Sequence, residues 1–454
     1  MIGIGGIGMS ALARYFLSSG KAVAGYDRTP TELTRLLEQE GALIHFKDNV
    51  ALIPPPFHHE GTLVIRTPAV PSSHSELTFF AAKGFPVMKR SQVLGWLSND
   101  YITFAVAGTH GKTTISTILA HMLSRTPAGC MAFLGGISKN HESNFIHTPG
   151  ATTMVAEADE YDRSFLHLYP NMAVISAVDD DHLDIYGTYE NLLQSFRDFI
   201  NQIKTGGILL VKKGLNIAEY HKPGIRVFNY HLHEKADFYA TNISSGEGYN
   251  DFDLVTPTGT IQKLRLGLPG IVNIENAVAA SGIALLAGWH HEIIRDALRD
   301  FSGVVRRFDV RVKTPDIVYM DDYAHHPEEI RACIKSVRHM FPKRKITGIF
   351  QPHLFSRTRD LADGFARSLE LLDRLILLDI YPAREEPIPG VTSELIFHKV
   401  RLTDKRMCSK DEVIHTVKDL DIGILLTLGA GDIDTLVNPL TELLKGFTAK
   451  EKKT

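Results

Sequence analysis

Gly108, Gly111, Lys112, Thr113 and Thr114 stand in register within Ala105-Val-Ala-Gly-Thr-His-Gly-Lys-Thr-Thr114. An apolar run, residues 102–107, precedes them and a helix-like run, residues 115–123, follows. A glycine turn between a strand and a helix presents backbone N–H groups at the positive end of the helix dipole, and such a pocket binds phosphate. Thr109 and His110 complete the turn and belong to the same pocket. Lys112 adds a flexible cation for terminal phosphates, and the Thr113 hydroxyl is placed to bind a magnesium ion that bridges them. The glycines are closer together than in the usual G-x-x-x-x-G-K-[ST] pattern, because Val106 stands where the first glycine belongs. A glycine turn with a solvated lysine is the plain alternative; the strand-turn-helix context favours phosphate.

Other residues suit the same chemistry. Glu157, at the end of an apolar run in Ala156-Glu-Ala-Asp-Glu160, is the hard oxygen donor that magnesium needs beside Thr113. His182, in Asp179-Asp-Asp-His-Leu-Asp184, is either a ligand for a second ion or a loop histidine bonded to an aspartate. Asn276 either reads adenine through its amide or caps a helix. Arg307, His353 and Arg357 offer cations for phosphates or carboxylates across a cleft, against the alternative of ordinary surface ion pairs. Tyr323, His325 and His326 cluster at a strand end, and the two adjacent imidazoles must point in different directions. Near the start, Gly3-x-Gly5-x-x-Gly8, with Gly6 and Ile7 inside it, makes a turn that lets backbone approach a pyrophosphate. Asp27 ends the next strand where a nucleotide ribose is expected. By itself this motif fits a dinucleotide, a nucleotide sugar or no ligand. The chain begins almost inside it, as expected of a truncated start or an unusually short first strand.

The elements that must position these residues follow from length and pattern. At 454 residues the chain is expected to fold as about three domains. Residues 44% hydrophobic and 22% charged, with a net charge of -3, describe an ordinary globular enzyme. Without a basic excess or an aromatic-basic stripe, no nucleic-acid partner is expected. Every long apolar run is broken before bilayer length, so no membrane insertion is expected either. Three scattered cysteines argue against disulfides and zinc and fit a reducing cytoplasm. Only the tail, residues 448–454, reads as disordered.

Strand patterns at 21–27, 62–67, 102–107, 153–160, 172–178 and 207–211 alternate with helical ones, and the polar stretch 235–266 reads as antiparallel strands. Further strands are expected at 316–320, 345–350, 375–378 and 423–428, each running into a polar, motif-bearing end. The expected architecture is α/β: a Rossmann-like N-terminal domain (1–100), a central P-loop ATPase domain (101–305) and a Rossmann-like C-terminal domain (306–454). Ligands collect at the carboxyl ends of strands in such sheets.

Taken together the motifs resemble the Mur ligases over essentially the whole chain. The matching stretches are Gly3-Ile-Gly-Gly-Ile-Gly-Met-Ser-Ala-Leu-Ala13, Gly108-Thr-His-Gly-Lys-Thr-Thr114, Ala156-Glu-Ala-Asp-Glu160 with Ser164-Phe-Leu166, and Asp181-His-Leu-Asp184. The others are Leu268-Pro-Gly270 with Asn273 and Asn276, Arg306-Arg-Phe308, Asp321-Asp-Tyr-Ala-His-His-Pro327, Phe350-Gln-Pro-His353 with Arg357-Thr358, and Gly429-Ala-Gly-Asp-Ile433.

The resemblance implies a ligase that uses ATP and Mg2+, with two ions, to join L-alanine to the lactyl carboxylate of UDP-N-acetylmuramate in peptidoglycan precursor synthesis. It implies that Lys112, Glu157 and His182 act in catalysis, with Thr113, Glu157 and His182 holding magnesium. It carries Asn276 over to adenine, Asp322 to a ribose, Arg307 to a phosphate, Tyr323, His353 and Arg357 to the amino-acid side, and the Gly5–Gly8 turn to the uridine diphosphate. A monomer or weak homodimer is expected. Three positions depart from the family pattern: Ala177 and Asp179 stand where members often have Asn and Glu, and Leu354 stands where some carry arginine. Residues 192–199 hold no lysine of the kind that several members modify. Two other readings are a tripeptide-recycling ligase of the same superfamily and a nicotinamide-dependent dehydrogenase built on Gly3–Gly8; the second leaves the phosphate loop unexplained.

Overall fold

Ile102–Ala107, Thr153–Ala158 and Met172–Ile175 are apolar at nearly every position, the pattern of parallel strands covered on both faces. In the computed structural model they form the centre of a ten-stranded sheet. Residues 1–179, 183–246, 248–383 and 385–451 are described, without the side chains of 183, 184, 218 and 448–451. Ala107 pairs in parallel with Ala158 on one side and Ile175 on the other. The loops that follow all three strands therefore leave from one edge. The sheet continues through Ile208–Lys212 and Arg226–His231, then through Phe238–Gly246, Tyr249–Thr256 and Gly259–Leu266; its opposite edge is the antiparallel pair Met131–Ser138 and Ser143–His147.

By its contacts the chain divides into two compact units: Met1–Ser244 with Asp251–Gly267 and Asn273–Ser302, and Ser245–Asn250 with Leu268–Val272 and Gly303–Thr454. The first contains the Gly3–Gly8 segment as well as the large sheet. Ile2 bridges Tyr26 and Arg66 in parallel, which places it between the pairs Ala24–Tyr26/Leu43–His45 and Val64–Arg66/Val87–Lys89. Ile2, just before the glycine turn, thus sits at the middle of this parallel layer. That layer joins the large sheet through a shared core in which Met9, Leu12, Val93 and Leu97 pack with Phe133, Phe145, Phe165 and Phe199. Buried Arg14 strengthens the junction: it bonds Asn144 of the edge hairpin and pairs with Glu40 at 2.8 Å.

The second unit is a six-stranded sheet in the order Asp309–Lys313, Val318–Asp322, Ile424–Leu428, Ile346–Phe350, Arg374–Leu377, Lys405–Met407, with only the first pair antiparallel. Asp322 and Phe350 both stand opposite Leu428, and Leu377 opposite Phe350. Its motif-bearing strand ends share one edge, as in the first unit. The last helix, Val437–Glu451, runs into the stretch expected to be disordered. Among the described residues no helix is long and apolar enough to cross a membrane.

Gly95 shows how close the first unit's packing is. In the helix Arg90–Ser98, a Cβ at this position would lie 2.2 Å from the carbonyl oxygen of His167. Alanine normally favours a helix by about 1 kcal/mol over glycine, but backbone cannot swing aside, and overpacking costs about 1–3 kcal/mol. Gly95→Ala is expected to lower the apparent unfolding midpoint by about 2–4 °C for each kcal/mol of net loss; a melting curve that is unchanged or shifted upwards refutes the close contact.

Candidate active site

The strand Ile102–Ala107 hands over to the helix Lys112–Leu123 through a turn that only glycine makes easily. Gly108 has φ +130° and Gly111, the residue capping the helix, φ +82°. A Cβ on Gly108 would lie 2.4 Å from the Ser176 hydroxyl and 2.8 Å from the Ala177 nitrogen. The turn is tied to the end of the neighbouring strand: Thr109 N–H donates to Ala177 O at 3.0 Å, the Asp179 N–H donates to Thr109 Oγ1 at 3.1 Å, and Ser176 Oγ–H donates to His110 O. His110 Nε2 lies 3.2 Å from an Asp179 oxygen. Thr113 and Thr114 open the helix, both buried.

Lys112 does not extend into the turn as a free cation. Its ammonium donates to Gly108 O at 2.7 Å and to the two oxygens of Glu160 at 2.8 and 2.9 Å. Burial alone would lower the lysine's pKa; Glu160, with Asp159 and Glu157, outweighs this and raises it, so the ammonium stays charged. Glu160 is fully buried, and it is a site residue that sequence reasoning missed. It lies inside a quoted motif, but nothing in its spacing shows that it turns back onto Lys112.

Thr113 Oγ1 and Glu157 Oε1 are brought to 3.0 Å, while Gly135 N–H donates to the other Glu157 oxygen at 2.9 Å. Gly135 was also not anticipated; a Cβ there would lie 2.3 Å from that oxygen. The pair fits magnesium by ligand type, both being hard oxygens. It also fits by separation, since adjacent ligands on an octahedral ion with bonds of about 2.1 Å sit ~3 Å apart. His182, expected as a further ligand, lies outside the described residues. Among the described residues no group of three or more His, Cys, Asp or Glu is arranged to hold a metal.

Asn276 stands beside this turn, its Oδ1 2.9 Å from where a Gly111 Cβ would be. It lies in the second turn of the helix Ile271–Leu286, so the capping alternative fails: the free backbone N–H groups belong to the first turn. Its amide donates to Asn273 Oδ1 at 3.4 Å.

At the first glycine turn, Gly6 caps the helix Ile7–Ser18 and Gly8 lies in its first turn. Asp27 accepts from Gly5 N–H at 2.7 Å and from Thr29 N–H at 3.3 Å, so it clamps the loop from behind. Arg90 was not anticipated: its guanidinium lies 3.0 Å from the position of a Gly8 Cβ and 3.7 Å from Asp159. No local pattern marks it, because it reaches Gly8 through the fold.

In the second unit the tyrosine–histidine cluster assembles at the shared strand edge. The Tyr323 ring faces Arg307 at 4.8 Å and Arg306 at 5.3 Å, and meets His325 at 5.2 Å; His325 meets His353 at 5.7 Å. His353 stacks on Tyr381 at 5.8 Å, another residue that was not anticipated. His325 and His326 do diverge: His326 is buried and caps the helix Pro327–Met340. Arg357 lies in the first turn of the helix Phe355–Leu369, one turn from His353. Leu354 is buried with φ +71°.

The sequence matches the Mur ligase family catalytic domain over residues 1–102, the Mur ligase middle domain over 106–284 and the Mur ligase glutamate ligase domain over 306–435. A protein of Parabacteroides distasonis named UDP-N-acetylmuramate--L-alanine ligase is 53% identical, covering 98% of this chain and 96% of that protein. Its namesake in Phocaeicola vulgatus is 51% identical, covering 98% and 97%. The crystal structure of the UDP-N-acetylmuramate-alanine ligase of Thermotoga maritima superimposes with a TM-score of 0.83 at 26% identity, covering 98% of each chain. A murein peptide ligase from Psychrobacter arcticus shares the fold at a TM-score of 0.71 and 21% identity, covering 98% of each chain.

Asp322 differs from the other strand-end residues because its two oxygens hold backbone: Phe308 N–H at 2.6 Å and Ala324 N–H at 2.8 Å. Burial raises its pKa to about 6, against the opposing pull of Arg307 and of these two bonds. A carboxyl group with a raised folded pKa binds its proton more tightly in the native state. Its stabilising contribution is complete below the ordinary value near 4 and declines as pH rises to about 6. The second unit is therefore expected to lose stability between about pH 4 and pH 6 through this residue. Denaturant titrations across that window check it, and Asp322→Asn should flatten the decline; an unchanged slope refutes the assignment.

Proposed function

The chain belongs to the Mur ligase family, and from that premise we propose that it joins L-alanine to the lactyl carboxylate of UDP-N-acetylmuramate at the expense of ATP, in peptidoglycan precursor synthesis. The observation that carries this is the 53% identity to an L-alanine ligase over 98% of the chain. Lys112, half-buried on Glu160, and Glu157, half-buried against the buried Thr113, suit the chemistry. A recycling ligase is supported only at the level of fold, at 21% identity. A dehydrogenase needs none of the charges at the Gly108–Thr114 turn. The reaction is placed in the cytoplasm, and the enzyme acts as a monomer or weak homodimer.

The lactyl carboxylate attacks the terminal phosphorus of ATP, ADP leaves, and the amine of alanine then attacks the acyl phosphate carbon. Phosphate departs as the amide forms, and the amine releases a proton. The first step brings an anion against a triphosphate, so charge must be neutralised where it builds up. Lys112 supplies one fixed positive charge, and the N–H groups of Gly108–Thr114 supply dipoles. Thr113 and Glu157, with His182 for a second ion, would hold Mg2+, whose charge screens the phosphates. Asn276 orients adenine, Arg307 faces a phosphate and Asp322 a ribose. The Gly5–Gly8 turn with Asp27 receives the uridine diphosphate, and Tyr323, His353 and Arg357 receive the amino acid. Of the carried-over roles Asp322 has the least spare capacity, because each of its oxygens already serves a backbone N–H.

Phosphate release in a coupled assay is expected to require both UDP-N-acetylmuramate and L-alanine, with glycine and L-serine tested beside it. Release with a tripeptide but not with alanine identifies the recycling ligase, and nicotinamide reduction without ATP sinks both ligase readings. Lys112→Ala is expected to abolish turnover and leave UDP-sugar binding intact, since among the described residues the ammonium bonds Gly108 and Glu160 and nothing at the Gly5–Gly8 turn. Retained turnover would refute the mechanism.

A further inference from the structure

An ammonium has three N–H donors, and the fold gives Lys112 three acceptors: Gly108 O at 2.7 Å, Glu160 Oε2 at 2.8 Å and Glu160 Oε1 at 2.9 Å. A phosphate oxygen can reach this lysine only by replacing one of them. The Gly108 carbonyl belongs to the turn itself and moves only if the turn does. The carboxylate is the exchangeable partner, yet it is confined. Glu160 is fully buried, and its own carbonyl accepts from Tyr186 Oη at 2.6 Å and from Arg163 N–H at 2.9 Å. The chain just beyond it is kinked through two left-handed residues, Asp162 (φ 52°) and Arg163 (φ 54°), which turn Glu160 back toward the lysine.

We infer that Glu160 is a positioning residue which holds Lys112 aimed and fully bonded, and whose carboxylate is exchanged for the terminal phosphate of the nucleotide. This rests on the reading of Gly108–Thr114 as the ATP site. Two consequences follow from the donor count. Each ATP that binds must break a charge-assisted contact, so the pair weakens nucleotide affinity; and the same pair restricts where the ammonium sits, so it supports the chemical step. An ordinary structural ion pair has the opposite signature, because loosening it disorders the turn and weakens ATP binding.

The test is ATP binding to the full-length protein by titration calorimetry, with steady-state kinetics beside it. Glu160→Gln preserves shape and removes the charge. It is expected to tighten ATP binding about tenfold, the scale of one charge-assisted hydrogen bond, and to lower kcat, so that KM for ATP and kcat fall together. Asp159 carries the same charge nearby, but it bonds Tyr161 N–H at 3.1 Å and not Lys112, so Asp159→Asn should tighten binding far less. Glu160→Asp withdraws the carboxylate by one methylene and should shift affinity in the same direction by a smaller factor, which keeps the test open if the glutamine variant misfolds. Unchanged or weaker ATP binding in either Glu160 variant overturns the inference, as does equal tightening in Asp159→Asn. Wild-type protein that binds no ATP overturns the functional reading along with it.

Discussion

A lysine ammonium and a buried glutamate carboxylate meet at the edge of the large sheet, and the geometry around them is what taking them out of water demands. Desolvating two charges costs several kcal/mol per ion, and only short, well-aligned contacts offset it. The Lys112–Glu160 contacts, at 2.8 and 2.9 Å, meet that condition. To reach each other, the two residues need their strands in register, as Ala107 and Ala158 are. They also need a turn that doubles back over Gly108 and Gly111, and a kink beyond Glu160. Glu157 is held separately, by Thr113 and Gly135. Lys112 and the Thr113–Glu157 pair are thus fixed by different contacts at the same sheet edge.

The second unit meets the same problem with a different pair. Asp321, fully buried, takes Arg306 Nε at 3.1 Å and the Thr427 hydroxyl at 2.6 Å, and Arg306 also donates to Gly429 O at 2.7 Å. Asp322, the next residue along the strand, points to the other face and holds Phe308 by its backbone. Between them they pin the segment Arg306–Phe308, two of whose residues carry positive φ, 63° at Arg306 and 50° at Phe308. Arg307, between these anchored neighbours, turns its guanidinium to the Tyr323 ring. Adjacent acids at a strand end therefore present a cation without bonding it tightly themselves.

Much of this was legible in the sequence because strands and glycine turns are local. The glycine turn at Gly108–Gly111, the parallel strands and the edge that gathers their polar ends follow from short patterns, and Thr113 and Glu157 could be paired because both end such patterns. Contacts made through the fold left no local mark. Arg90 reaches Gly8, Tyr381 reaches His353, and Gly135 meets Glu157 through pairings whose sequence separation is set only by topology. The hairpin Met131–Ser138/Ser143–His147, which carries Gly135, was unread because its glycines and polar residues blur the alternation of a strand. For Asn276 the residues alone left cap and adenine contact open for another reason: cap and second turn differ by a few residues, which a helix boundary drawn from pattern does not separate.

Leu354 shows how a departure from the family pattern is to be weighed. Where some members carry arginine, a leucine reads as a lost cation at the amino-acid site. Its side chain is buried, however, and its backbone is left-handed, a conformation that costs an ordinary L-residue roughly 1–2 kcal/mol. Against that cost stand three hydrogen bonds: Leu354 N–H to Tyr381 O at 2.9 Å, and Thr358 N–H at 3.1 Å and Oγ1 at 2.8 Å to Leu354 O. The reversal at this one residue lets the helix Phe355–Leu369 begin at once, with Arg357 in its first turn, while the His353 ring lies on Tyr381. Leucine here buries an apolar side chain under a strained turn, and the positive charge of this segment rests with Arg357, one helical turn away on the same element. A cation absent from one position is thus compatible with a cationic site when the backbone at that position determines where the next cation stands.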